Sequence, residues 1–96
     1  MDRDEAKTIL ARELAGCRKR SYDELLCLLE APETKEVKAP SGNIYQLEFQ
    51  AVWDDRYKKN LRIIGGIDDG GFRAFVPLTR DFILTPDGTF VGEEET

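Results

Sequence analysis

The sequence predicts an α+β fold, with two N-terminal helices packed on one face of an antiparallel meander sheet of about four to six strands. Three observations carry this expectation. Residues 45–53 and 61–67 are apolar at odd positions, the period of strands with one buried face. Residues 72–78 resume the alternation on even numbers, after an Asp69-Gly70 pair suited to the left-handed centres of a type I′ turn. Residues 6–17 and 22–29 instead space their apolar groups by three and four, as one helix face requires.

The first helix is expected from Asp2 to about Lys19. Ala6, Ile9, Leu10, Leu14 and Cys17 form its stripe. Asp2, Asp4 and Glu5 stand where the helix dipole favours acids, and Arg18-Lys19-Arg20 follows at the end that favours cations. Ser21-Tyr22-Asp23-Glu24 is a capping box, in which the serine hydroxyl takes the Glu24 amide and that carboxylate reaches back. It opens a short helix with Tyr22, Leu25, Leu26 and Leu29 on one side, Leu28 on a flank and Cys27 nearly opposite. Pro32 stops that helix by driving the preceding residue out of the α region.

Thr34 to Ala39 reads as a charged strand with Val37 inward, and Lys35, Glu36 and Lys38 guard it as a sheet edge. Ala39-Pro40-Ser41-Gly42-Asn43 is a hairpin loop with a left-handed glycine, which sets Val37 opposite Tyr45. Symmetric closure of the 54–60 loop sets Ala51 opposite Ile63, Phe49 opposite Gly65 and Leu47 opposite Ile67. Gly65 then lies beneath the Phe49 ring; alternatively, Gly65-Gly66 marks a bulge. The Asp69-Gly70 turn sets Ile67 opposite Phe72, Ile63 opposite Val76 and Leu61 opposite Leu78. A slip of one residue would turn every apolar side chain outward. Thr85-Pro86-Asp87-Gly88-Thr89 repeats the turn chemistry and predicts a terminal hairpin, Phe82-Ile83-Leu84 against Phe90-Val91. Residues 1–92 are expected to form a single α+β domain, with an acidic tail at 93–96.

The 96 residues suffice for one two-layer core. A net charge of −5 argues against nucleic acid, which needs a basic face. Arg18-Lys19-Arg20 is too short for one and has no interleaved aromatic. The apolar run Leu25 to Leu29 is far too short to span a bilayer, and the charged N-terminus lacks the apolar core of a signal peptide. A cytoplasmic location with no membrane partner is therefore expected. Cys17 and Cys27 match neither a redox pair nor a zinc knuckle and read as reduced thiols. Histidine is absent, which removes Ser-His-Asp and Cys-His nucleophiles and histidine-ligated metals. Gly65-Gly66 and Gly70-Gly71 open no helix and so cradle no phosphate. No catalytic residue, metal ligand or cofactor is assigned.

Two surfaces remain as candidate sites. On the sheet's second face, Glu48, Gln50, Arg62 and Arg73 are polar, whereas Val52, Ile64 and Phe75 are apolar, and the register opposes Ile64 to Phe75. Val52, Arg62, Ile64, Arg73 and Phe75 thus form a candidate binding patch. The terminal hairpin, a second copy in a homodimer, or a protein partner can each cover it. The other candidate is an acidic corner of Asp54, Asp55 and Asp81, with Arg56 and Arg80 expected nearby. Such carboxylates can hold a hard cation, but the spacing is not that of a calcium loop, and turn chemistry explains them as well. Three functions follow in order: a non-catalytic protein-binding or assembly module using the sheet face, an acidic inhibitor or immunity-type protein for a basic partner, and a divalent-metal-dependent enzyme using the aspartates.

Trp53-Asp54-Asp55-Arg56 and the run Ile67-Asp68-Asp69-Gly70-Gly71-Phe72-Arg73-Ala74-Phe75 resemble a small family of uncharacterised bacterial proteins. The resemblance extends from Ser21 to Gly92. It implies a bacterial cytoplasmic origin and carries over no catalytic or binding residue.

Overall fold

The structure, a computed structural model, describes residues 1–70 and 78–93. They form two α-helices, α1 (Arg3–Arg18) and α2 (Tyr22–Leu26), and four strands, β1 (Glu33–Lys38), β2 (Ile44–Trp53), β3 (Leu61–Asp68) and β4 (Leu78–Leu84). The strands make one antiparallel sheet in the order β1-β2-β3-β4. The fold is α+β, and no helix among the described residues is long and apolar enough to cross a membrane.

The helix boundaries follow from their caps. Asp2 caps α1 by accepting from the Glu5 amide at 3.0 Å. Ser21 caps α2 by accepting from the Glu24 amide at 3.1 Å, while the Glu24 carboxylate meets the serine hydroxyl at 3.3 Å. After Leu26 the chain tightens into a 3-10 turn, Cys27–Leu29. That turn corrects the expected helix face. Residues three apart eclipse in a 3-10 helix, so Leu28 falls in line with Leu25, and these two are the fully buried leucines of the segment. Leu29 is only partly buried.

β2 and β3 pair as expected, with Ala51 opposite Ile63, Phe49 opposite Gly65 and Leu47 opposite Ile67. Val37 lies opposite Tyr45. Gly42 and Gly88 take φ of +94° and +89°. In both turns the amide before the proline reaches across the loop, from Ala39 to the Asn43 carbonyl at 2.8 Å and from Thr85 to the Thr89 carbonyl at 2.9 Å. Equal turn chemistry gives equal hydrogen bonding.

The partner of β3 differs from expectation. Ile67 faces Leu78, Ile63 faces Phe82 and Leu61 faces Leu84, in place of Phe72, Val76 and Leu78. The whole ladder is thus displaced by six residues, since 78 − 72 and 82 − 76 both equal six. An even displacement keeps the alternation intact, so side-chain parity cannot separate the two pairings. The observed one sets Phe82 against Ile63 in the core and lets it meet Phe90 edge-on at 5.7 Å. Phe72, Ala74 and Val76, the strand that was expected there, lie outside the described residues. Asp69-Gly70 accordingly does not close a tight hairpin onto β3. Gly70 takes φ +72°, and its amide donates to the Asp68 carboxylate at 2.7 Å. The terminal hairpin is present in brief, as a Leu84–Phe90 bridge and a Val91 amide donating to the Ile83 carbonyl at 2.9 Å.

The core joins Ala6, Ile9, Leu10, Leu14 and Cys17 of α1 to Tyr45, Leu47, Phe49, Ala51, Leu61, Ile63, Ile67, Phe82 and Leu84 of the sheet. Cys17 is buried and Cys27 exposed, both as free thiols. Arg18 closes the far end of α1, with its guanidinium 5.0 Å from the Phe82 ring centre and 4.9 Å from that of Phe90. The same side chain pairs with Glu93 at 2.6 Å.

At the other end of α1, one oxygen of Glu5 accepts from the Tyr45 hydroxyl at 2.7 Å, Ser41 at 2.8 Å and Asn43 at 3.0 Å. Those bonds, led by Tyr45, hold the Glu5 carboxyl below its usual 4.5. Burial first, and then the Glu5 hydrogen bond, push the Tyr45 phenol from 10.0 up to about 12. A depressed carboxyl contributes stability that is present above its unfolded value and lost as pH falls through the folded one. A raised phenol contributes stability that is present below its unfolded value and lost as pH rises through the folded one. An ultraviolet titration should therefore show a tyrosine ionising near pH 12, in a step that Tyr45→Phe abolishes. A Tyr45 step at the usual pH of 10.0 would exclude the contact.

Candidate functional site

β2 and β3 place odd-numbered residues in the core, so Val52, Arg62 and Ile64 stand on the opposite face. Arg62 lies between Val52 on β2 and Ile83 on β4, and Ile64 between Gln50 and Asp81. The expected opposition of Ile64 to Phe75 is thereby corrected, because the six-residue displacement puts Asp81 there. Arg73 and Phe75 lie outside the described residues. Val52 remains 42 % exposed, and Ile64 and Ile83 are half-buried. Each of these isoleucines is a diagonal cross-strand neighbour of the other, and Val52 of Ile64, within reach for long side chains. Ile83 is the member of this group that sequence reasoning missed. Its position follows only once β4 is placed at Leu78–Leu84.

The acidic corner meets this patch at Arg62. Its Nε and Nη2 donate to Asp54 Oδ1 at 3.1 and 2.7 Å, and its Nη1 donates to Asp81 Oδ2. Arg62, rather than Arg56 or Arg80, is thus the cation both carboxylates engage. The two acids, Asp81 first, hold the guanidinium even more firmly in its charged form. Asp55 does something else. Its Oδ1 accepts from the backbone amides of Lys59 and Asn60 at 3.0 and 2.9 Å, which lowers its carboxyl below the usual 3.8. It organises the 54–60 loop instead of joining the pair at Arg62. The Asp68-Asp69 pair lies at the other end of β3.

Two sites that the sequence treats separately therefore become one area, a carboxylate–arginine–carboxylate bridge set among Val52, Ile64 and Ile83. A guanidinium keeps its charge at ordinary pH, so the bridge offers fixed charge and directed donors rather than acid–base chemistry. Among the described residues no group of three or more acidic or cysteine side chains is placed to hold a metal ion. Toward β1 the same face dips over Gly66, in a shallow depression lined by Thr34, Glu48, Gln50, Ile64 and Thr79.

No family model, curated protein or solved structure matches the chain.

Proposed function

We propose that the chain is a non-catalytic cytoplasmic module that binds a protein partner, or a second copy of itself, through the sheet face carrying Val52, Arg62, Ile64 and Ile83. In this reading both helices cover the odd-numbered face and leave the other to the partner. Membranes and nucleic acids have no part in it. The resemblance to small uncharacterised bacterial proteins is consistent with such a role. The observation that carries the reading is the exposure of Val52, 42 %, beside two half-buried isoleucines and a neutralised arginine. An apolar centre with a paired polar rim is the usual make-up of a recognition surface.

Val52→Asp tests this. Aspartate in place of valine on a strand costs about 1 kcal/mol, so the thermal melt should fall by a few degrees without loss of the fold. Light scattering of the pure protein and affinity capture from a bacterial lysate should both be compared with the parent. Loss of a dimer, or of a captured partner, is the expected result. A monomeric parent that captures nothing would contradict the reading. The acidic inhibitor is the runner-up, and it has less to offer a basic partner because Asp54 and Asp81 already share Arg62.

A further inference from the structure

The loop at residues 54–60 is held more firmly than a surface connection requires. The Asp54 amide donates to the Asn60 carbonyl at 2.8 Å and the Lys58 amide to the Asp55 carbonyl at 3.2 Å. Asp55 ties down two further amides. From α2, the Tyr22 hydroxyl donates to the Lys59 carbonyl at 2.6 Å.

What this frame presents is basic and aromatic. Tyr57 is 67 % exposed, the most exposed of the large apolar side chains among the described residues. The Arg56 guanidinium lies 5.1 Å from its ring centre and donates to its hydroxyl at 3.1 Å. Lys58 and Lys59 are exposed beside them. Lys58 is also the only described non-glycine residue with positive φ, +56°. A glycine adopts that conformation freely and a β-carbon resists it. Lys58 thus holds its place in the tip at some backbone cost, as residues of binding loops often do.

We infer that the Arg56-Tyr57-Lys58-Lys59 tip is a preorganised docking site for a short acidic peptide segment of a partner protein. Exposed tyrosine and arginine are the side chains most often energetic at such contacts, and a loop already ordered loses little freedom on binding. The tip is small. Its cations come from one loop, while Asp54 and Asp81 lie on the sheet face behind it and the chain as a whole carries −5. A polyanion longer than the loop would run into that negative charge. A few carboxylates next to an apolar stem would not. This surface is separate from the patch around Val52, and the inference stands without that patch.

The test is a titration of the isotopically labelled full chain with an end-blocked Leu-Glu-Glu peptide, followed by amide chemical shifts. Oligothymidylate and phosphatidylserine vesicles serve as competing anions. The peptide should shift residues 56–59 first, and added salt should weaken it. Lys58→Gly should reduce its affinity roughly two- to fivefold, the span of a single exposed ion pair, with no fall in melting temperature. Lys58→Gln provides the same readout if the glycine variant is less stable. No shift at 56–59, unchanged affinity in both variants, or tighter binding of the oligonucleotide or the vesicles at the tip would each overturn the inference.

Discussion

Phe82→Ala should destabilise the protein by about 3–5 kcal/mol, the range for an aromatic ring removed from a packed core. Phe82 is 4 % exposed and opposite Ile63, with the Phe90 ring edge-on and Arg18 over its face. Deleting it leaves a cavity beneath α1 and takes away one of the two rings on which Arg18 rests. A domain of this size has about 5–15 kcal/mol in hand, so the variant keeps a small margin or none. Urea denaturation should show a lower midpoint at unchanged slope. A loss below about 1 kcal/mol, the level of an ordinary surface change, would mean that Phe82 is not the residue packed against Ile63.

Gly65→Val should follow, with a loss of about 1–3 kcal/mol from overpacking. A β-carbon at Gly65 would stand 3.0 Å from Leu14 Cδ2, 3.1 Å from Leu10 Cδ1 and 3.1 Å from Phe49 Cε1. The first methyl meets the ends of three side chains, all of which can yield a few tenths of an ångström. Replacing a strand glycine with alanine also gains about 0.5–1 kcal/mol. For Gly65→Ala the two effects nearly cancel, so that variant should be close to neutral. Valine has the same backbone gain, but its branches fall where three side chains already converge, and the overpacking outweighs that gain. The contrast between the two variants is the result to read in parallel melts. Equal stability for both would place α1 farther from Gly65 than these distances allow.

This glycine was legible in the sequence for half its reason. The 54–60 loop and the odd-numbered alternation were enough to put Phe49 opposite it, and the ring does lie there. That Leu10 and Leu14 also converge on Gly65 depends on where α1 crosses the sheet, which no periodicity encodes. The turns around Gly42 and Gly88 were readable because the left-handed conformation admits few residues.

The fourth strand was misread because Phe72, Ala74, Val76 and Leu78 alternate without a break, whereas Arg80 interrupts the series Leu78, Phe82 and Leu84. Parity distinguishes odd shifts, never even ones. One signal was available: Pro77 has no amide to donate and sits poorly inside a strand ladder, but well just ahead of one. The candidate patch inherited that error, placing Phe75 opposite Ile64 where Asp81 stands and leaving out Ile83. Val52, Arg62 and Ile64 keep their expected places on the second face because they lie on β2 and β3. The link between Arg62 and both Asp54 and Asp81 was not legible. It needs a side-chain direction as well as a register.

The register of β3 against β4 is what the core, the Arg18 latch and the Ile83 patch all share, and nuclear Overhauser effects across that ladder test it most directly. Cross-strand backbone contacts should join Ile63 to Phe82 and Ile67 to Leu78. Contacts joining Ile63 to Val76 and Leu61 to Leu78 would contradict the account.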